Sequence, residues 1–395
     1  MKGVTSKILI ALGIVLILAA ILWWAIAVNA LVKLPNDIDS TSSYEGELTY
    51  YVNPETQEPL AAGEELRLPM QVERKDVSLV DEYDSSKGVI QEDVITTVMG
   101  EEEKMVSVYV LDRKTMENVD DDRAYDFDAA NKVNRQGAYY PLLPFDTSTD
   151  NTYPIWKGEV GESLESEFVS EEEQEGTTVY NFKGTLSIDD KKEVVAAYVK
   201  TLGLPEEVTF EELKPQLAAM GLDADALIAL ASQVIGAQSP EDLQALNAAL
   251  QKNVPVKYYW AFEAESSVEP KTGVPVNSYK DIETLYTELD TSGLVEVFGI
   301  LAKYSSDPVL GPELAKLVEL QGQLGEMEPT KVFEYSLVQT EESVKTAIDD
   351  AKDAASQINL VKVYIPWALL IVGALILIIG LLIGGGQAPA QQAEE

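Results

Sequence analysis

Two long apolar stretches stand near the two ends of the chain, and the residues between them are mostly polar or alternate between polar and apolar. Residues 8–32 and 363–383 contain no charged side chain. A helix rises about 1.5 Å per residue, so about 20 apolar residues cross the hydrocarbon core of a bilayer. A helix also satisfies its own backbone polar groups in lipid. The pattern therefore predicts two transmembrane helices, preceded by residues 1–7 and followed by a tail over 384–395.

Side chains at the borders of these stretches predict where the membrane surfaces lie, because Trp and Tyr favour the boundary between lipid and water. The expected membrane-interface residues are Lys7, Trp23, Trp24, Lys33, Lys362, Tyr364 and Trp367. Lys2 and Lys7 favour a cytoplasmic N-terminus, whereas Lys345 and Lys352 favour the opposite orientation. Because the first span usually dominates, we expect a plasma-membrane protein with both termini in the cytoplasm and the large acidic domain outside.

Each stretch has an alternative interpretation. Val28-Asn29-Ala30 resembles the small-residue cleavage site of a signal peptide. The apolar part of a signal peptide is about 7–15 residues long, so the longer run here favours an uncleaved anchor. The second stretch has the length of a buried helix in a large soluble core, but its lack of any charge favours a span.

Short runs rich in Val, Ile, Thr and Tyr predict antiparallel strands in the first part of the middle region, 33–189. The polar run 36–43 is expected to be a linker. Prolines and aromatic rings interrupt the pattern over 120–156, and we expect this segment to pack over the sheet, where its rings are buried. The predicted strands cover residues 48–52, 66–72, 89–98, 105–111, 165–169 and 177–186.

The pattern becomes helical over residues 190–253, which are rich in Ala and Leu. Thr209 and Glu212 are spaced as a capping box, and Ser239 followed by Pro240 is typical of another helix start. These signals predict an inserted helical cap of about four short helices.

The second part of the predicted sheet domain covers 254–340 and contains a helical block at 293–325. Residues 341–362 have helical spacing and predict a stalk that runs into the second span, where Pro366 is expected to kink the helix. The predicted fold class is an α+β membrane protein. It has two terminal transmembrane helices and an antiparallel β-barrel or sheet ectodomain with an inserted helical cap.

The composition excludes several kinds of chemistry. The chain has no Cys and no His, and its net charge is −38. It therefore has no disulfides, thiol nucleophile, Ser–His–Asp triad or imidazole-bound zinc. Strong acidity disfavours a nucleic-acid partner. We expect neither an enzyme nor a cofactor.

Three short motifs have competing interpretations. Asp120-Asp121-Asp122 offers oxygen ligands for Ca²⁺, but it lacks the Gly and the final Glu of an EF-hand loop, which favours a solvated acidic turn. Residues 269–273 (EPKTG) resemble a sortase-type sorting signal, but they are internal and followed by a segment with the pattern of a folded region, which favours a turn in which Gly allows a positive φ. Gly380 and Gly384 form a GxxxG pattern that either pairs helices or begins a frayed, Gly-rich exit.

Several motifs resemble a bacterial two-span family known as PorA-type porin. They are Leu111 to Thr115 (LDRKT), Arg135-Gln136-Gly137, Pro144-Phe145-Asp146 and Thr152 to Trp156 (TYPIW). Met116, Leu143 and Lys157 stand where the family usually has Gly, Phe and Asp. The resemblance covers most of the chain and implies a two-span envelope protein.

The layout also resembles the class B scavenger receptors, through Val268 to Gly273 (VEPKTG). That resemblance implies a β-barrel ectodomain between two spans, a helical bundle on top and a cavity that conducts lipid. The receptors' cysteines have no counterpart here, and the chain has no Asn-x-Ser/Thr sequon.

Two functional hypotheses follow. In the first, the external barrel holds an apolar, lipid-like ligand or conveys it towards the membrane. In the second, the protein is a structural or adhesive envelope protein that binds itself or other envelope proteins and has no small-molecule ligand. Beyond these the expected partner is the lipid bilayer.

Overall fold

A computed structural model describes residues 2–53, 60, 66–326 and 328–385. Its helices are α1 (Lys2–Leu22), α2 (Val28–Leu31), α3 (Ala196–Thr201), α4 (Phe210–Ala219), α5 (Ala224–Gln238), α6 (Pro240–Ala249), α7 (Val295–Ala302), α8 (Gly311–Glu326), α9 (Glu341–Asn359) and α10 (Ile365–Gly385). Its strands are β1 (Asp39–Tyr51), β2 (Leu68–Ser78), β3 (Lys87–Val98), β4 (Glu101–Asp112), β5 (Tyr153–Lys157), β6 (Glu162–Gln174), β7 (Thr177–Leu186), β8 (Glu207–Val208), β9 (Val254–Glu269), β10 (Val274–Leu289) and β11 (Thr330–Gln339).

The two ends of the chain form long apolar helices. A π-helical turn, Trp23–Ala27, joins α1 to α2, and a second one, Leu360–Tyr364, joins α9 to α10. The resulting continuous helices, Val4–Leu31 and Glu341–Gly384, contain segments long and apolar enough to cross a membrane. Most of the predicted tail 384–395 lies outside the described residues.

Small residues allow α1 and α10 to pack closely and antiparallel. A Cβ atom built on Gly13 would lie 2.7 Å from the carbonyl oxygen of Gly373. Ser6 Oγ donates a 2.7 Å hydrogen bond to the carbonyl oxygen of Gly380, and a Cβ on Gly384 would meet the same Oγ at 2.5 Å. The GxxxG pattern therefore does pair helices, and its partner is the first helix of the same chain.

All described strands belong to one antiparallel sheet with the order β4-β3-β2-β1-β11-β10-β9-β7-β6-β5, and β8 pairs with β9. The last strand, β11, lies between β1 and β10. The predicted linker 36–43 is wrong from Asp39 onwards. These residues are polar, but Asp39 pairs with Val77 and the following residues continue the β1–β2 ladder, so the backbone is strand.

The sheet curls into a half-barrel, because side chains from distant strands meet on its inner face. Met105 of β4 packs against the cluster around Trp260 of β9 and Leu285 of β10. The irregular segment between β4 and β5 makes backbone hydrogen bonds with both of these outer strands. Its Tyr125 bonds to Val108 of β4, and its Tyr139 bonds to β5. The segment thus packs over the sheet, as its rings predict.

Helices α4 to α8 form one helical cap, although the sequence presents them as two separate blocks. Leu227 and Leu246 from the first block share a buried cluster with Leu301 and Leu314 from the second. Thr209 forms the expected capping box with Glu212 at the start of α4. The short α3 packs instead on the sheet, where its Tyr198 contacts Trp260.

Helix α9 lies against the sheet. Its Ile348 and Ala351 are buried with Val179 of β7 and Val276 of β10. Its Ser343 Oγ accepts a hydrogen bond from the backbone of Ser43. The predicted stalk is therefore a helix that packs on the sheet and connects the sheet directly to α10.

Candidate functional site: helix joints, charged interior and cap cavity

Two indole groups donate to backbone carbonyls next to a proline. Pro366 has no N–H, so it cannot donate to the carbonyl of Lys362, four residues earlier, or, in π-helical register, to that of Val361, five residues earlier. Trp24 Nε1 donates to the Lys362 oxygen at 2.9 Å, and Trp23 Nε1 donates to the Val361 oxygen at 3.0 Å. These bonds fasten the two helices to each other.

Most of the predicted membrane-interface residues lie near this contact between the two helices, at about the same position along the helix axes. Trp24 and Trp367 make an edge-to-face contact with ring centroids 6.1 Å apart. Tyr364 is 63% exposed and points away from the protein. Lys7 lies at the opposite end of α1 and is also exposed, whereas Lys33 is half-buried at the end of the first helix.

The chain leaving the first helix is fixed to the sheet by Arg113, within the LDRKT motif. Its Nε and Nη2 both donate to the carbonyl oxygen of Leu34, at 2.9 and 2.6 Å. The backbone N–H of Leu34 in turn donates to the carbonyl oxygen of Arg113, and the Leu34 side chain is buried. Charge-assisted bonds of this kind are among the stronger ones in proteins.

A second joint fixes the start of the other helix through two more of the motifs. The PFDT segment, residues 144–147, packs on the EPKTG turn, residues 269–273. Just before this segment, the Leu143 N–H donates to the Gly273 carbonyl oxygen at 2.9 Å. The Asp146 carboxylate then accepts from Lys362 Nζ at 2.5 Å and lies 3.6 Å from Lys271 Nζ. Three motifs that are distant in sequence therefore form the base of the sheet.

Inside the curl, a lysine from one outer strand reaches a carboxylate from the middle of the sheet. Lys157 Nζ of β5 donates to Glu283 Oε1 of β10 at 3.1 Å, and Tyr335 donates to the other oxygen at 2.7 Å. Glu159 and Asp281 lie beside this pair. We call these five residues the interior cluster.

Burial changes the acidity of the interior cluster. Burial, and then the charge of Glu283, raise the pKa of Asp281 to about 8. Burial also raises the pKa of Glu159 to about 7, although Lys157 opposes this. The carboxyl atoms Asp281 Oδ1 and Glu159 Oε2 are buried without a hydrogen-bond partner. The cluster thus holds more carboxyl groups than its single ammonium can neutralise.

Two arginines and their carboxylate partners occupy the same interior. Arg74 lies 2.5 Å from Glu92 and 3.2 Å from Asp76, and burial raises the pKa of Asp76 to about 6. Arg135 pairs with Asp126, both fully buried, and Trp156 Nε1 donates to the same carboxylate at 2.9 Å. Trp156 belongs to the TYPIW motif, so this motif supports the interior.

The helical cap encloses a cavity of a different character. Its volume is about 40 Å³, and only apolar side chains line it. Every one of the cap helices contributes to the lining, for example through Leu217, Leu227, Leu246, Leu301 and Leu317. Sequence patterning predicts the helices but not that their apolar faces leave a space between them.

The acidic turn at Asp120-Asp121-Asp122 is used for ion pairs. Asp121 accepts from Lys87 at 2.8 Å and from Arg123 at 2.8 Å, and the hydrogen bonds from Arg123 hold its pKa well below the usual range. Among residues 2–53, 60, 66–326 and 328–385 the structure shows no group of three acidic side chains arranged to hold a metal ion.

These features define a class of protein in which a curled antiparallel sheet with a helical cap is carried on a pair of long apolar helices. A family model described as "Porin PorA" matches residues 5–382. The chain therefore belongs to the PorA porin family, and it is a porin-type protein of the cell envelope. No curated protein matches it.

Proposed function

We propose that the protein is a two-pass membrane protein whose extracytoplasmic domain binds an apolar, lipid-like ligand in its helical cap. The observation that carries the proposal is the cap cavity, which is lined only by apolar side chains. Apolar cavities of this kind stay dry, because water finds no hydrogen-bond partner in them, and they therefore bind apolar molecules.

The helix pair supports the membrane part of this proposal. Lys7 and Trp24 are separated by about 26 Å along a helix, close to the thickness of a hydrocarbon core. The residues beyond Trp24 then lie outside the bilayer with the sheet. Exposed ion pairs on the strands, such as Lys75 with Asp39 and Lys104 with Asp93, suit water rather than lipid.

The size of the cavity limits how a ligand enters. A volume of about 40 Å³ is a few times the ~10–15 Å³ that a cavity needs to hold one water, which is small for an acyl chain. An acyl chain therefore requires the cap helices to separate. The ligand's path does not follow the inside of the sheet, because Lys157, Arg74 and Arg135 occupy it with their carboxylate partners.

Native mass spectrometry of the full chain in mild detergent tests ligand binding. Ala231 is buried and lines the cavity, so Ala231→Leu fills the space that a ligand needs. Ala248 is exposed on α6, so Ala248→Leu is the matched control. We expect bound lipid with the wild type and the control, and a loss of at least tenfold with Ala231→Leu. Equal lipid content in all three proteins would reject the cap as the site.

The absence of cysteine in the chain allows a clean test of orientation. A membrane-impermeant maleimide should label Ser85→Cys, an exposed loop position, in intact cells. It should label Lys7→Cys only after the membrane is permeabilised. The reverse pattern would overturn the proposed orientation.

A structural or adhesive role is the second candidate. It is supported by the two joints and the ion pairs, which make the base and interior of the sheet rigid. This role predicts stoichiometric cross-linking to envelope proteins or to a second copy in cells, and it predicts that Ala231→Leu leaves that cross-linking unchanged.

A further inference from the structure

The interior cluster links two parts of the sheet that are far apart in strand order. Lys157 belongs to the outer strand β5, and Glu283 belongs to β10, with β6, β7 and β9 between them in the sheet. Their 3.1 Å hydrogen bond crosses the inside of the curl. Whatever weakens this contact loosens one edge of the half-barrel.

The charges facing this contact are unequal. Arg74 is paired with Asp76 and Glu92, and Arg135 is paired with Asp126. Lys157 therefore remains as the cation for three carboxyl groups. The titratable and charged groups that face the cluster are Tyr44 on β1, Arg74 and Asp76 on β2, Glu92 on β3, Glu103 on β4, Asp126 between β4 and β5, Tyr198 on α3 and Tyr335 on β11.

The unpaired oxygens identify the carboxyl groups that hold protons. Asp281 and Glu283 are two residues apart on β10 and therefore project from the same face, within hydrogen-bonding reach of each other. Two adjacent buried carboxyls cannot both be ionised without a large cost, so they share a proton. Asp281 Oδ1 and Glu159 Oε2 have no other described partner that would stabilise a second and third negative charge.

We infer that the interior cluster is a pH-sensitive contact that holds β5 against β10 when Asp281 and Glu159 are protonated and releases that edge when both ionise. The released edge carries Trp156 and the irregular segment that bonds to both outer strands. An alkaline shift would therefore open the side of the half-barrel, while the helical cap and the paired helices keep their structure.

The sign follows from the direction of the pKa changes. Both carboxyls have raised pKa values in the folded state, about 8 for Asp281 and about 7 for Glu159, so folding favours their protonated forms. Their contribution to closure is complete only below their ordinary pKa values of 3.8 and 4.5, falls as the pH rises from there, and is lost once the pH passes the raised values. For each group the equilibrium changes by up to about tenfold per pH unit below its raised pKa, and it stops changing above that pKa.

Hydrogen exchange of the full chain in detergent, read by mass spectrometry at pH 6 and pH 9, tests the inference. After correction for intrinsic exchange rates, we expect amides of β5 to lose at least about tenfold in protection at pH 9, while those of β2 and β3 stay within about twofold. Equal protection of β5 at both pH values, or an equal loss over β2, β3 and β5, would overturn it.

Variants connect this change to the named groups. Asp281→Asn keeps a neutral side chain of the same shape and leaves only Glu159 to ionise, so β5 should lose clearly less protection between pH 6 and pH 9 than it does in the wild type. Glu159→Gln tests the second carboxyl and serves if Asp281→Asn fails to fold. Glu171→Gln removes an exposed charge from β6 and should respond to pH as the wild type does. Loss of protection in both interior variants, equal to the wild type, would also overturn the inference.

Discussion

Trp24 Nε1 lies 2.9 Å from the carbonyl oxygen of Lys362, a carbonyl to which Pro366, four residues later, cannot donate. The proline weakens one helix at the point where the other helix supplies an indole. The bond therefore makes the pairing of the two helices depend on a specific register, with Trp24 beside Lys362.

Replacing Trp24 by Phe should weaken the helix pair, because the ring is kept and the donor is lost. An unpaired carbonyl in an apolar setting costs about 1–3 kcal/mol. This loss of stability should lower the midpoint of unfolding in an SDS titration that is monitored by circular dichroism. In a Pro366→Ala background the helix supplies its own N–H, so the same Trp24→Phe change should cost less. Equal costs in both backgrounds would show that the indole bond contributes nothing.

Gly13→Val should separate α1 from α10, because its Cβ would meet the Gly373 carbonyl oxygen at 2.7 Å. Overpacking of this kind typically costs about 1–3 kcal/mol. Ala11 is exposed on the same helix, so Ala11→Val is the control. The SDS midpoint should fall for the first variant and stay near the wild-type value for the second; a similar fall in both would mean that the helices do not pack at Gly13.

Gly273→Ala should destabilise the base of the sheet more than Gly176→Ala does. Both glycines have a positive φ, +74° and +73°, so both substitutions carry the backbone cost of that conformation. Only at Gly273 would the new Cβ meet a carbonyl oxygen, that of Leu143, at 2.0 Å. We expect about 1 kcal/mol for Gly176→Ala and at least twice that for Gly273→Ala in thermal unfolding. Equal losses would mean that the PFDT segment is not packed on this turn.

Arg113→Lys should loosen the joint between the first helix and the sheet while keeping its charge. Arg113 makes two bonds to the Leu34 oxygen and a third, of 3.0 Å, to the Asp84 oxygen. The ammonium group of lysine cannot replace the planar guanidinium in these three bonds, and we expect the free energy of unfolding to fall by about 1.5–3 kcal/mol. Lys114→Arg next to it is exposed and should be neutral. Limited proteolysis after residue Lys33 should be faster only in Arg113→Lys.

Asp76→Asn should flatten the pH dependence of stability between about pH 4 and pH 6. Burial raises the pKa of Asp76 to about 6 in the folded protein from 3.8, so the folded state binds its proton more tightly than the unfolded state. The wild type therefore loses stability from this group as the pH rises through that window, and the variant does not. The difference between the two unfolding free energies should change by about 2–3 kcal/mol between pH 4 and pH 6. The prediction is wrong if the difference between the two unfolding free energies is the same at pH 4 and pH 6.

The sequence predicts most of the architecture because length and alternation act locally. The uncharged runs predict the long helices, and the period-two runs predict the strands of the sheet. Thr209 with Glu212 and Ser239 with Pro240 correctly mark helix starts because capping is decided within one turn.

The candidate sites depend on pairings that no local pattern contains. Lys157 and Glu283 are 126 positions apart, and only the strand order brings them together. The sequence places Trp24 near a membrane surface, but it does not show that the Trp24 indole donates to the carbonyl oxygen of Lys362 in the second helix. The linker prediction fails at Asp39 because a polar strand is stabilised by its neighbour rather than by its own side chains.

The position of β11 between β1 and β10 has a consequence for how the protein is made. Until residues 330–339 leave the ribosome, β1 to β4 and β5 to β10 are two separate half-sheets, each with an unpaired edge. The strand that joins them is the last of the described strands in chain order, so the sheet is completed only after all its other described strands have been made. Without β11, the edges of β1 and β10 stay unpaired and open to pairing with another chain, so a chain that stops before Thr330 should aggregate more readily than the full chain.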